Sequence, residues 1–600
     1  MAGNGYFGRA LMVDVSGRAA TGTRVEIAER VLRSYLGGVG LGTWLLHRFA
    51  PAGVDPMAPA APLAFVFSPL VGTPLTTSAK FAVVAKSPLT GLLTDALASS
   101  QFAIAGKLTG HDAICVRGQA DALSVLLVDG ATARLELAPD LAGLSAAEAE
   151  TRLRARFGRG WRTAAIGAAG ERGVRYATIS HDGRHAGRGG LGAVLGAKNL
   201  KAVLVRAGEK VAVADPTGVL AAARDLRARS FGPATAKYRE LGTLANLLAF
   251  NAVSTLPTRN FTAATFDGAP RLAAEELHEL RAVARNSCAS CSIGCEHIYS
   301  RKGGGQQRME YENVFALGPL CGVSDPDAVF AASARCDELG IDTISAGGTI
   351  AWAMECVERG LLDEPWLRFG DGAALLRALD AIGSLEPGLG ELLAQGSRRA
   401  AESVGHDSID FAPQVKGMEL PGYEPRSLQS MALGLAVNAR GADHNRSGAY
   451  EADLSGELDR LDGGAAHVAA AIETEDRAAV MDSMILCKFL RGVFSEPFTE
   501  WAELLSTVTG WAVDAEELRD TARRIVRAKR AFNVREGATA ADDRLPARIL
   551  ETPLTLESGR TAALSAERLR SMIDGYYTAR GLDGSGRVVP ADLADLLLDA

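Results

Sequence analysis

The segment "NSCASCSIGCEH", from Asn286 to His297, places Cys288, Cys291 and Cys295 within eight residues. The chain holds 8 cysteines in 600 residues, so three in one short loop exceed what packing needs. Thiolates are soft ligands, and three this close can converge on one multiply charged centre. Zinc, an iron–sulfur cluster, or a disulfide with an odd partner would each use them. The N-terminal "MAGNGYFGRALMVDV" has no basic region followed by a long apolar core. That predicts no export signal and a reducing, cytoplasmic compartment, where disulfides are disfavoured. Zinc sites pair two C-x2-C knuckles, or one knuckle with H-x3-5-H. Here the spacing is C-x2-C-x3-C, and His297 follows Cys295 by only two positions. Iron–sulfur clusters commonly take three cysteines from one loop and a fourth from elsewhere. A four-iron (4Fe-4S) cluster is therefore favoured, zinc comes next, and unliganded packing is third.

A fourth thiol is suggested by an internal echo. "DELGIDT" (337–343) and "DSMILCK" (482–488) both open with Asp and place a polar ligand in the sixth position, Asp342 in one and Cys487 in the other. Two similar loops suggest two similar things to hold, and Cys487 becomes the natural fourth cluster ligand. Cys115, Cys321, Cys336 and Cys356 sit in apolar company and read as small buried hydrophobes.

These residues need a frame. The first ~210 residues read as β-rich. Short apolar runs at 9–17, 62–70, 80–88, 111–118, 123–130, 175–183 and 200–208 end in turn residues. Glycine is dense at 36–42 and 186–202, where the backbone can approach a ligand closely or simply turn. From ~211 the pattern is helical. The run 324–340 has Ser324 or Asp325 as N-cap and Gly340 as its stop. The runs 344–360 and 464–490 are also helix-forming. Soft limits near 210 and 420 give three domains, 1–210, 211–420 and 421–600. A net charge of −7 gives no electrostatic footprint for nucleic acid, and no apolar run approaches a bilayer span.

Taken in order along the chain, these segments resemble the tungsten-dependent aldehyde:ferredoxin oxidoreductase family over nearly the whole length. They include "GGVGLG", residues 55–91, "IGAAGE" (166–171), "AGRGGLGAVLGAKNLKA", the cysteine triplet, "EYENVFALGPLCGV" (310–323), "CDELGIDTISAGGTIAWAMECVERG", "KGMELPGYEPR" (416–426), "ARGADH" (439–444) and "DSMILCKF". The resemblance implies an α+β multidomain fold. Its β-rich N-terminal two-sheet base would carry two mainly α-helical domains over the cofactor. It implies tungsten, or molybdenum, on two pterins, with Mg between the pterin phosphates. It also implies a 4Fe-4S cluster on Cys288, Cys291, Cys295 and Cys487. Asp337, Asp342 and Asp482 would accept from pterin N–H groups, Cys487 would join cluster to pterin, and Lys80, Arg188 and Gly189 would lie at the cofactor. Glu312 and His444 match positions near the metal, with Glu310 the competitor for the carboxylate role.

The activity so implied is oxidation of an aldehyde with water to a carboxylate. Its electrons would pass to ferredoxin or a partner iron–sulfur subunit, and a homodimer is the expected assembly. The rivals are a related tungsten enzyme resembling the benzoyl-CoA reductase catalytic subunit and a non-catalytic electron-transfer subunit. Three departures from the family pattern bear on the cofactor region: Lys80 where Arg is common, "LASSQFA" at 97–103 where Asn and a Gly pair are usual, and Ile485 where Gly is usual.

Overall fold

The computed structural model describes residues 3–598. Two six-stranded sheets form the N-terminal base. The first contains β1 (Arg9–Asp14), β2 (Thr21–Glu26), β3 (Leu63–Val66), β4 (Lys80–Lys86), β5 (Leu93–Ser99) and β6 (Ala113–Arg117), in the order β2-β1-β6-β3-β4-β5. The second contains β7 (Ser124–Asp129), β8 (Thr132–Leu137), β9 (Trp161–Ala165), β10 (Ile179–His181), β11 (Arg184–Ala186) and β12 (Leu200–Arg206), in the order β11-β10-β9-β12-β7-β8. Each of the seven apolar runs expected as strands contains one. β3 is buried at every residue, as a strand covered on both faces must be, and so it reads as an unbroken apolar run.

The remainder is mainly helical. Helices Ala465–Met484 and Ala515–Arg535 pack over the first sheet, and Val480, Met481, Ile525 and Phe532 complete its apolar core. A second core runs from Leu244 through Trp352 and Met431 to Tyr577, on both sides of residue 420. No helix among the described residues is by itself long and apolar enough to cross a membrane.

Two readings change. The glycine-rich stretch at 36–42 is not a ligand loop; Gly38–Phe49 is a helix. Its missing side chains allow close packing. A Cβ on Gly38 would lie 2.3 Å from the Asp482 carbonyl oxygen, and one on Gly42 would lie 2.4 Å from Val84. The cysteine triplet also lies in β structure. β13 (Ala282–Asn286), β14 (Glu296–Ser300) and β15 (Gln306–Met309) form a small antiparallel sheet, and the triplet fills the β13–β14 loop.

The two echoed segments fold alike. Helix Pro326–Leu339 ends at Gly340 in the left-handed region (φ 75°), and the N–H groups of Gly340 and Ile341 both donate to the Cys336 carbonyl. Helix Ala465–Met484 ends at Ile485, also left-handed (φ 66°), and the N–H groups of Ile485 and Leu486 both donate to the Met481 carbonyl. Asp342 then caps helix Thr343–Glu358 through the Ser345 N–H, and Cys487 stands in the corresponding cap position of a short 3-10 turn.

A β-branched residue in the left-handed region carries strain of roughly 1–2 kcal/mol. Ile485 is nevertheless fully buried, with its Cδ1 beside Gly38. Removing a buried aliphatic side chain costs about 2–5 kcal/mol, so burial outweighs strain. Ile485→Gly should lower the apparent melting temperature. A rise would mean that strain governs this turn.

Candidate functional site

The cavity between base and helices has two adjoining chambers that share Leu97, His185, Gly187, Arg188, Arg308 and Glu310 among their lining residues. The first, about 330 Å³, is lined by Cys288, Cys291, Cys295 and Cys487, with Lys80, Arg440, Arg446, Asp482 and Lys488. The second, about 370 Å³, is lined by Glu312 and His444, with Asp337, Asp342, Arg491 and several aromatic rings.

The four thiols come together through a loop, Thr76–Thr77, that no motif in the sequence marks as part of the site. Thr76 Oγ1 accepts the Ser292 N–H at 3.0 Å, and Thr77 donates its N–H to the Ser290 carbonyl at 2.7 Å. Thr77 Oγ1 also accepts the Cys487 N–H at 3.4 Å. The Thr76–Thr77 pair thus ties the triplet loop to the second echoed turn. Burial, reinforced by neighbouring Cys487, pushes the Cys291 thiol up to about 11 and raises Cys295 as well. Thiolates so crowded resist forming unless strong positive charge stands among them. Among the described residues, no three His, Cys, Asp or Glu side chains converge to hold a single ion. The thiols instead surround a chamber, which suits a cluster better than one zinc with ligands at about 2.3 Å.

Lys80, expected at a pterin phosphate, stands beside the thiols. Burial lowers its ammonium, but Cys487, Cys288 and Asp482 outweigh burial and raise it. Gly189, expected at the cofactor, is turned away from both chambers. Its left-handed backbone (φ 91°) lies against Thr94, whose Oγ1 would be 2.1 Å from an added Cβ. Gly187 lines both chambers instead, and a Cβ there would meet nothing closer than Asp342 Oδ1 at 3.9 Å.

Behind these residues is a buried ion network. Asp95, wholly buried, accepts from Arg446 and, at 3.0 Å, from Lys529, with Arg440 3.9 Å away. Burial alone would raise its carboxyl, yet Arg446, Lys529 and Arg440 hold it well below the usual range. Asp482 meets Arg446 and Lys488, each at 3.1 Å. Arg188 meets Asp342 at 3.4 Å and Asp443 at 3.8 Å, and donates to the carbonyls of Ala442 and Glu419 at 2.5 Å. The ion pairs of Arg188, Arg440, Arg446, Lys488 and Lys529 are with Asp95, Asp342, Asp443 and Asp482, and Lys80 stands beside Asp482 and the thiols. Arg440 Nε is buried without a partner. Excess cation with an orphaned donor fits an anionic group such as a pterin phosphate. Sequence reasoning missed Asp95, Arg440, Arg446, Lys488 and Lys529. The available signal was a lone Asp inside the buried strand "LTDALAS", because such a charge needs a partner.

Asp337, expected as a pterin acceptor, is engaged by His185 at 3.2 Å and Gln307 at 2.8 Å. Glu312 and His444 are brought together, with His444 Nδ1 3.4 Å from Glu312 Oε1. Glu312 Oε2 accepts the Gly422 N–H at 3.1 Å. Burial pushes the Glu312 carboxyl up to about 8, against the lowering effects of Gly422 and Arg188. Burial pushes the His444 imidazole down to about 3, against the raising effect of Asp443. The Asn445 amide donates to His444 Nε2 at 2.9 Å, which leaves the ring proton on Nδ1; neither that nitrogen nor Glu312 Oε1 has a hydrogen-bond partner among the described residues. Glu310 differs: it caps helix Tyr311–Leu317, and its side chain is 40% exposed.

Thiols, a cationic cradle and an uncharged acid–imidazole pair in one cavity define the site of a cofactor-dependent oxidoreductase. The comparisons give the family. The model for the aldehyde ferredoxin oxidoreductase N-terminal domain matches residues 10–207, and that for domains 2 & 3 matches residues 222–598. The chain belongs to the aldehyde ferredoxin oxidoreductase family. It is 34% identical to the tungsten-containing aldehyde ferredoxin oxidoreductase of Pyrococcus furiosus, over 99% of each chain. It is 29% identical to the WOR-like subunit of an aliphatic sulfonate oxidoreductase from the same organism, over 97% of this chain and 95% of the other. In fold it is similar to the active site complex BamBC of benzoyl coenzyme A reductase, solved with 1,5 dienoyl-CoA. The TM-score is 0.84 at 22% identity, over 99% of this chain and 97% of that one.

If the four thiols hold a cluster, serine in place of Cys288, Cys291, Cys295 or Cys487 should remove most of any bound iron, whereas Cys115→Ser and Cys356→Ser should keep it. Equal iron loss in both sets would sink the ligand assignment. Asp95→Asn should cost about 3–5 kcal/mol by stranding buried cations, read as a lower unfolding temperature; an unchanged value would mean that Asp95 is not needed there.

Proposed function

We propose that the chain oxidises an aldehyde with water to a carboxylate, releasing two electrons to ferredoxin or to a partner iron–sulfur subunit. The observation that carries this reading is the Glu312–His444 pair, 3.4 Å apart, in a chamber that opens into the one lined by four thiols. Cys288, Cys291, Cys295 and Cys487 would hold a 4Fe-4S cluster. Asp337, Asp342, Asp482, Arg188 and Lys80 would hold a tungsten, or molybdenum, bis-pterin, with Mg at its phosphates. When bound, these groups supply the two-electron oxidation and its one-electron relay.

The chain's own residues manage water, carbonyl and proton. Glu312 takes a proton from the water that adds to the carbonyl carbon, and the Gly422 N–H holds its other oxygen in place. His444, neutral and protonated at Nδ1, has that N–H free to donate to the carbonyl oxygen. Little water enters between them, so neither group is stabilised in its charged form. Glu310 also lines both chambers, but it is less buried than Glu312 and faces Arg308 rather than His444.

A general base works only when deprotonated. With the Glu312 carboxyl at about 8, kcat/KM for an aldehyde should rise roughly tenfold per pH unit below that value and level off above it. Glu312→Gln should lower turnover by about 10²–10⁴-fold and abolish that rise, with metal and pterin contents unchanged. His444→Asn should act more mildly, and Glu310→Gln should stay near wild type. Loss of activity in Glu310→Gln with Glu312→Gln intact would reverse the assignment. Activity with an aryl-CoA thioester and with no aldehyde would overturn the reading.

A further inference from the structure

The second chamber has a lining that aldehyde oxidation by itself does not require. Besides Glu312 and His444, its wall carries the rings of Tyr238, Tyr311, Tyr423, Tyr450 and Phe489. They are arranged in close pairs. Tyr238 and Phe489 stack with centroids 4.1 Å apart and planes 20° apart. Tyr423 and Tyr450 lie 4.5 Å apart at 31°, and Tyr423 lies 5.1 Å from the His444 ring. Tyr238, Tyr450 and Phe489 are only half-buried, so they keep surface facing the chamber.

The hydroxyls of Tyr311, Tyr423 and Tyr450 are already engaged. Tyr311 donates its hydroxyl to the Gly422 carbonyl. The Tyr450 hydroxyl accepts from Arg491 at 2.8 Å and is hydrogen-bonded to Tyr423. Arg491 is neutralised by Glu451 at 2.6 Å, and Arg188 and Arg308 each face a carboxylate. Among the described lining residues each arginine thus has a carboxylate partner, so the wall offers little to an anionic tail. What the wall offers is ring faces and edges, and these favour another flat ring by about 0.5–1.5 kcal/mol per pair beyond buried area. The ring-lined wall shares its chamber, about 370 Å³ in all, with Arg188, Asp337 and Asp342, so only part of that volume is the substrate's.

We propose that the substrate is a neutral aldehyde carried on a single flat aromatic ring. The ring packs against the Tyr238–Phe489 stack and the Tyr423–Tyr450 pair, and the carbonyl lies at Glu312 and His444. This rests on the aldehyde-oxidation reading and names its substrate class. The specificity-determining residues are Tyr238 and Phe489, which stand in the wall without touching the catalytic pair.

The test is calorimetric titration of the anaerobically isolated holoenzyme with neutral alcohols that match aldehydes in shape: benzyl alcohol, cyclohexylmethanol and propan-1-ol. Benzyl alcohol should bind about fivefold more tightly than cyclohexylmethanol, although the saturated ring is the more apolar. Tyr238→Leu and Phe489→Leu should each erase that preference, and Tyr238→Phe should keep it. In turnover, the same Leu variants should raise KM for benzaldehyde about fivefold relative to propanal. Cyclohexylmethanol binding as tightly as benzyl alcohol, or a ring preference that survives both Leu variants, would overturn the inference. Oxidation of propanal without ring selectivity overturns this inference alone. Ring-selective binding with neither aldehyde oxidised overturns the aldehyde-oxidation reading and leaves a site for flat rings.

Discussion

The structure turns on the pairing of buried charge around Asp95. A carboxylate inside a sheet with no partner would cost many kilocalories, and so would each arginine or lysine that points at it. Asp95 comes from the base, Arg446 from the helical part and Lys529 from the long helix Ala515–Arg535. Their attraction fixes three separate segments against one another. Arg446 passes the constraint on to Asp482, and Lys488 shares it. The turn that carries Cys487 is thereby held in place. A mutual attraction among buried groups thus sets the position of a thiol that lines one chamber with three others from a distant loop.

The same network explains the chamber beside it. Arg188 is satisfied by Asp342, Asp443 and two backbone carbonyls, so it adds little charge to the second chamber. With Arg491 neutralised as well, burial dominates at Glu312 and His444. Desolvation moves an acid up and an imidazole down. The two groups meet as neutral partners across 3.4 Å, a pairing that water would dissolve into an exposed ion pair of small value. Cationic excess is concentrated in one chamber and charge neutrality in the other, although the two share lining residues.

Much of this was legible in the residues. The strands were legible because apolar runs ending in turn residues have few other uses, and helix Pro326–Leu339 announced its cap and its stop. The echoed loops were legible because tight turns demand particular residue types at fixed spacing, and the triplet because three cysteines in eight residues exceed what packing needs. The glycines misled. At Gly38 and Gly189 the residue that must come close is protein, a carbonyl oxygen in one case and Thr94 in the other, and sequence does not say what a bare backbone approaches. The sheet around the triplet was hidden because "AVARN" (282–286) continues a helical pattern, and only pairing with β14 makes it a strand. Asp95 and its cations were hidden because ion pairs across 351 and 434 residues leave no local periodicity.

In the proposed arrangement one cavity holds both a thiol-ligated cluster and an anionic metal cofactor beside the buried Glu312–His444 pair. Metal analysis of the anaerobically isolated protein tests it most directly. The account predicts about four irons and one tungsten or molybdenum per chain. Zinc in place of iron, or iron with neither tungsten nor molybdenum, would contradict it.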